Sequence, residues 1–307
     1  MEPITVITLI ISMAACLMTY VLKKVYTNRS HGGMTGVYSY SAIGCIVSAI
    51  VLLLWGGIDG MSVFTCILGV LFGIVVSLDE IFKIKAFQSG PMAYTMVIIS
   101  CSTVFTALSG FLFFGESIGA FQILGIALML FSFIFATEKK EGEKKGSFIW
   151  FTFCILAFLC SGSIGFMQKI HQSSSHKGEL NTFLVISFVI SFVFAAVMTL
   201  ISMKKEKNPL FEKTSGGKIA WLFIVIMIFS GICVGANHKL NLALAGEIPS
   251  AVFFPIVNGG NLVLTTLSAL IIFRERLTKK QWIGVIFGIL SVLALCMPTN
   301  LIFSFKL

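Results

Sequence analysis

The chain has 307 residues, 57% of them hydrophobic and only 11% charged, with mean hydropathy +0.99 and a net charge of +9. Soluble domains carry about 25% charged residues, so the composition excludes a water-soluble globular protein. The basic residues lie between apolar runs and not on one face, which excludes a nucleic-acid-binding module. At about 20 residues per span, the apolar runs predict ten transmembrane helices. They cover 4–22, 37–56, 62–84, 91–114, 119–137, 147–168, 181–203, 219–245, 249–273 and 280–298. The runs are continuously apolar, whereas barrel strands alternate over about ten residues, so an all-α integral membrane protein is expected.

The first run follows Met1-Glu2-Pro3, a negative start unlike a secretory signal, and reads as a retained span. A polar connector, EKKEGEKK at 138–145, separates two five-helix units, 1–141 and 142–307. Most of the 22 Lys and Arg fall in odd-numbered loops, as at Lys23-Lys24, Lys139-Lys140, Lys204-Lys205 and Lys279-Lys280. Positive loops stay inside, which places those loops in the cytoplasm and both termini outside. Short loops and the retained first span point to a bacterial inner membrane. Trp55, Trp150, Trp221 and Trp282 fall near span ends, as interfacial anchors should, and Tyr38 and Tyr40 are expected in the same belt. The eight Cys lie within apolar runs without C-x-x-C spacing and read as small hydrophobes. His31, His171 and His176 fall in predicted loops without acidic partners, so neither a metal nor a cofactor is expected. The short loops leave no soluble domain for catalysis.

The chain repeats itself. A shift of 159 positions carries Thr106 onto Thr265, Leu108-Ser109 onto Leu267-Ser268, Phe114 onto Phe273, Glu116 onto Glu275, Gln122 onto Gln281 and Gly125 onto Gly284. Five helices return the chain to the opposite side, so the second copy is inverted relative to the first. Inverted repeats recur in transporters.

Paired turns, Gly115-Glu116-Ser117-Ile118 and Arg274-Glu275-Arg276-Leu277, are each followed by Gln-x-x-Gly. Lys24 and Lys169 close the first helix of each half, and Lys85-Ala86-Phe87 and Leu242-Ala243-Leu244 precede the fourth and ninth helices. On these features the chain resembles the drug/metabolite transporter superfamily, EamA type, over nearly its whole length. The resemblance implies secondary transport of a small metabolite through a central cavity by alternating access. It differs from the small multidrug exporters of that superfamily in having no carboxylate within residues 4–22.

Polar residues inside the spans are the candidate site. Pro255 interrupts the ninth run, and Asn258 and Asn261 share a helical face near its middle. Ser100, Ser102 and Thr103 occupy the corresponding region of the other copy. Pro/Gly-interrupted segments in equivalent places point to a substrate site; hydrogen bonding between helices is the alternative. Asp79-Glu80 and His238-Lys239 are roughly equivalent positions of opposite charge. Intramembrane charges are usually paired or functional, so His238 and Lys239 are candidate solute contacts and Asp79, Glu80 and His238 candidate coupling groups. Snorkelling to the interface, with Lys83 and Lys85 partnering the acids, is the competing reading. Gly69/Gly73 and Gly284/Gly288 are small-xxx-small pairs expected to pack helices.

The expectation is a non-enzymatic secondary transporter for a small organic solute, embedded in lipid, with protons or sodium as candidate coupling ions. A homodimer is a candidate assembly, and nucleic acid is not an expected partner. A channel or a non-transporting receptor is the alternative. An intramembrane enzyme is less favoured, because only His238 offers an obvious base.

Overall fold

The computed structural model describes residues 3–29, 33–90, 95–96, 98–99, 101–115, 118–136, 148–206, 218–248, 250–274, 279–295, 297 and 304–305. The helices are α1 (Pro3–Arg29), α2 (Gly33–Gly56), α3 (Val63–Ser89), α4 (Ser102–Phe114) and α5 (Ala120–Ala136), followed by α6 (Phe148–Gln172), α7 (Leu180–Glu206), α8 (Lys218–Glu247), α9 (Ser250–Ile271) and α10 (Lys279–Leu295). Strands β1 (Ile118–Gly119) and β2 (Ser304–Phe305) form a two-residue antiparallel pair, Ile118 opposite Phe305. Six of the helices, α1, α2, α3, α6, α7 and α8, are long and apolar enough to cross a membrane, and shorter apolar helices lie within α4, α9 and α10. A helix bonds its backbone groups internally, which lipid demands. Helix ends fall where the chain can leave that pattern. Gly115 ends α4 at φ 63°, its N–H bonded to Gly110 O, and Gly57 follows α2 at φ 67°. Both positive values suit glycine.

Two compact units divide the chain. The first holds Met1–Gln88 and Ile170–Gly246, the second Ser89–Lys169 and Glu247–Leu307. Each therefore draws on both sequence halves.

In the first unit α2 and α7 run antiparallel. Thr35 Oγ1 lies 2.9 Å from Ser202 Oγ near one end, and Asn181 Nδ2 donates to Leu52 O at 3.0 Å near the other. α3 runs parallel to α7: Gly69 meets Phe183 O, Gly73 meets Ser187 O, Ser191 Oγ donates to Gly73 O at 2.6 Å, and Ser77 Oγ donates to Ser191 O at 3.2 Å. α2 runs parallel to α8 in the same style. Tyr40 donates to Ser230 Oγ at 2.6 Å, Ser48 Oγ donates to Gly231 O at 2.7 Å, and Gly235 packs on Ser48.

In the second unit α5 and α10 pack through two reciprocal bonds. Ser132 Oγ donates to Gly284 O at 2.8 Å, and Ser291 Oγ donates to Gly125 O at 2.6 Å. Seven residues span about 10.5 Å of helix. Advancing from Gly125 to Ser132 on α5 thus moves backward from Ser291 to Gly284 on α10, and the two helices are antiparallel. Gly162 and Gly165 of α6 admit Phe105 and Thr106 of α4, and Gly165 also meets Phe254 of α9.

Several sequence expectations change. Tyr38 and Tyr40 are buried in the first unit, Tyr40 ring-to-ring with Tyr26 at 4.7 Å, and are not interfacial. Trp150 is buried and donates to Thr95 Oγ1 at 3.1 Å, whereas Trp55, Trp221 and Trp282 are exposed as anchors would be. His171 lies in α6, not a loop, fully buried and stacked on Phe183. Lys23 and Lys24 are buried, because α1 runs past the predicted span end. The connector 138–145, His31, Glu116 and Glu275 lie outside the described residues.

A Cβ on Gly73 would overlap the Ser187 carbonyl, while one on Gly44 meets nothing within 4 Å. Gly73→Ala should lower unfolding stability in detergent by about 1–3 kcal/mol, the range for overpacking. Gly44→Ala should be neutral or stabilise by up to about 1 kcal/mol through helix propensity.

Candidate functional site

The candidate residues fall into two clusters, one in each unit. The first unit holds the charges. Lys23 of α1, 1% exposed, pairs with Glu80 of α3 at 2.5 Å, and Lys83 pairs with Asp79 one turn earlier on α3 at 2.6 Å. Tyr20 joins the two pairs: its ring centroid is 5.8 Å from both Lys23 Nζ and Lys83 Nζ, within cation–π range. Lys83 is thus the local partner expected for Asp79, but Glu80 reaches across to α1, and α3 extends to Ser89. Burial favours such pairing, since an unpaired charge at the bilayer centre costs about 2.5–3.5 kcal/mol even on insertion scales.

A polar face continues along α1 from these pairs. Cys16 lies one turn before Tyr20 on the same helix. One turn further, Ser12 Oγ donates to Asn241 Oδ1 at 2.6 Å and Asn237 Nδ2 donates to Ser12 O at 2.9 Å. Ser12, Cys16, Tyr20 and Lys23 lie on one helical face. Their spacing was visible in the sequence but went unused, because α1 carries no carboxylate to draw attention to it.

His238 and Lys239 separate. The His238 ring meets the edges of Phe72 at 6.0 Å and Phe188 at 5.3 Å. Its Nδ1 has no hydrogen-bond partner among the described residues, and the charges acting on it are Lys83, Glu80 and Lys23. Lys239 instead donates to Asn181 Oδ1 at 3.1 Å and lies 4.8 Å from the Trp55 ring centroid. Asn181 Nδ2 bonds the carbonyls of Leu52 and Gly57, so both side chains cap the negative end of α2. Lys24 caps α3 likewise through Phe87 O at 3.1 Å. Lys239 thus has a structural engagement that its position alone did not reveal.

The second unit holds uncharged amides and hydroxyls. Asn258 Nδ2 of α9 donates to Thr103 Oγ1 of α4 at 2.7 Å, joining two residues expected to share a site. Asn261, one turn on and 5% exposed, has an Oδ1 without a partner among the described residues. Ser102 is buried beside Thr103. α9 continues unbroken through Pro255, while α4 begins at Ser102 after a turn in which Cys101 N donates to Ile98 O at 3.2 Å. Ser100 lies outside the described residues. The described His, Cys, Asp and Glu residues form no metal-binding group.

No family model matches the chain. It is 25% identical over 197 residues to an uncharacterized protein of Haemophilus influenzae, a match covering 61% of this chain. That match spans 60% of the relative's length. It is also 27% identical over 113 residues to a probable 4-amino-4-deoxy-L-arabinose-phosphoundecaprenol flippase subunit ArnE of Hamiltonella defensa, covering 37% of this chain and 92% of that protein. A solved crystal structure of a protein given no functional name shares the fold with a TM-score of 0.59 at 14% identity, covering 96% of both chains. The chain is a multi-pass membrane protein. The flippase-subunit likeness and the six apolar helices fit a membrane transporter.

Glu80→Gln should strand the buried Lys23 ammonium and destabilise the protein by about 3–5 kcal/mol. The double variant Lys23→Met with Glu80→Met should regain most of that loss, since it leaves no charge unpaired. Chemical unfolding in detergent of the three proteins measures both outcomes.

Proposed function

We propose that the protein is a secondary transporter of the drug/metabolite transporter superfamily, EamA type, moving a small organic solute across a bacterial inner membrane by alternating access. The observation that carries this reading is the reciprocal contact of α5 and α10. Ser132 and Ser291 stand at the repeat offset of 159, as do Gly125 and Gly284, and each serine bonds the glycine of the other helix. Exchanged contacts between equivalent residues are what a two-fold relation produces, and the antiparallel course fits two inverted halves, 1–141 and 142–307. The first unit agrees: the glycines of α3 lie on α7, and those of α8 lie on α2. Halves related this way can exchange conformations, giving inward-open and outward-open states of similar energy.

In this reading Asn258, Asn261, Ser100, Ser102, Thr103 and Pro255 form the solute-contacting face. Asp79, Glu80 and His238 carry coupling to protons or sodium. His238 suits the role, lying in the unit that holds the two ion pairs and with a buried Nδ1 that has no hydrogen-bond partner among the described residues. Lys239 acts through the end of α2 that it caps. The odd-numbered loops face the cytoplasm, as their charge predicts.

A flippase is the second reading, favoured by ArnE, nearly all of which aligns with little more than a third of this chain. A single-length subunit of that kind corresponds to one copy of a duplicated unit.

Reconstitution into liposomes tests both. Loaded with amino acids, nucleosides, sugars or organic cations, the vesicles should show saturable flux that accelerates with solute on the far side. Flux that never saturates would indicate a channel, and headgroup exposure of a labelled lipid without solute flux would favour the flippase. Chemical conversion without flux would mean an enzyme.

A further inference from the structure

We propose that the α4–α9 face of the second unit binds an uncharged, polyhydroxylated group, a sugar or cyclic polyol, and that Asn261 Oδ1 receives one of its hydroxyl protons. The inference rests on the carrier reading and gives it a substrate class.

α4 and α9 contain no charged residue. Their buried polar groups form two equivalent stripes, Ser102, Thr106 and Ser109 on α4 and Asn261, Thr265 and Ser268 on α9, each member 159 positions from its counterpart. The hydroxyl protons are largely committed within the helices. Thr106 donates to Thr103 O at 3.0 Å, Ser109 to Thr106 O at 2.8 Å, and Thr265 to Asn261 O at 2.6 Å. Beside the Ser102 and Ser268 hydroxyls, the amides remain to meet a solute.

Asn258 spends one N–H on Thr103. Asn261, more than nine-tenths buried, keeps an acceptor oxygen with no donor among the described residues. Buried polar atoms are nearly always satisfied, so this one marks the place of an absent donor. Asn258 faces α4, and Asn261 lies one turn along on the same helical face.

The chemistry of that donor is constrained from several sides. A singly charged solute would enter without a counter-charge on either helix, and burial of such a charge is unfavourable. An apolar solute would leave the oxygen unsatisfied. A hydroxyl both donates and accepts, as does each asparagine amide, so vicinal hydroxyls match two amides one turn apart. Phe254, which meets Gly165 beside Thr106, offers an apolar surface for the carbon face of a ring.

The experiment is binding to the purified full chain in detergent, read by equilibrium dialysis and by the thermal midpoint. The probes are glucose, xylose and myo-inositol, with glucosamine, glucuronate, cyclohexanol and sodium chloride as comparators. At least one neutral polyol should bind saturably and raise the midpoint, with charged analogues and cyclohexanol weaker by about tenfold or more. Asn261→Leu should abolish that binding while leaving the ligand-free midpoint unchanged or higher, because it removes an unpaired acceptor at similar volume. The proposal is overturned if no neutral polyol binds or if charged analogues bind equally well. It also falls if sodium alone gives the Asn261-dependent shift, or if Asn261→Leu lowers the ligand-free midpoint without touching binding. Saturable liposome flux of any other solute would then leave the carrier reading standing, whereas absence of saturable flux for every solute would remove both.

Discussion

Close backbone approach is the constraint on which the structure depends. Lipid tails are as apolar as leucine, so helices in a bilayer gain little by burying apolar faces against each other. Association must come from packing and from hydrogen bonds that lipid cannot offer. The chain meets this with glycine and serine together. Glycine lets two helices approach until a serine hydroxyl reaches the neighbouring carbonyl, as Ser191 reaches Gly73, Ser48 reaches Gly231, Ser132 reaches Gly284 and Ser291 reaches Gly125. The same device therefore recurs in both units. It fixes register as well as proximity, since only one residue in a turn presents the open carbonyl.

The two units carry different chemistry. The first buries two lysine–carboxylate pairs joined by Tyr20 and holds His238 against Phe72 and Phe188. Buried charge demands a partner, so Lys23 has Glu80 and Lys83 has Asp79. The second unit presents neutral amides and hydroxyls, with Asn258 holding Thr103 and Asn261 Oδ1 without a partner among the described residues. Buried charge and buried neutral polarity are thus carried by separate sets of residues.

Much of the helical framework was legible in sequence. The six helices long enough to cross a membrane match predicted runs, because hydrocarbon thickness sets span length and apolar composition reveals it. The offset of 159 was legible too, and the two serines of the reciprocal bonds stand at that offset, as do the two glycines that accept them. Partner choice was less so. Glu80 pairs with Lys23 across helices, while the expected Lys83 pairs with Asp79. Lys23 and Lys24 looked like interfacial charges at the end of an apolar run, yet α1 continues as helix and buries them. Tyr40 and Trp150 carry the chemistry of interfacial residues, and the Tyr40 hydroxyl and the Trp150 indole N–H found partners inside the protein instead.

The sequence by itself determined that this is a helical membrane protein, where its apolar runs begin, which polar residues lie within them, and that residues recur at a spacing of 159. Those properties follow from local composition and from a fixed spacing along the chain. Only the tertiary structure decided which helices touch, which lysine meets which carboxylate, that Lys239 caps α2 while its neighbour His238 turns to Phe72 and Phe188, and that Asn261 keeps an unmet oxygen. Partners distant in sequence are chosen by helix direction and register, and a span's hydropathy is the same whichever neighbour it packs against.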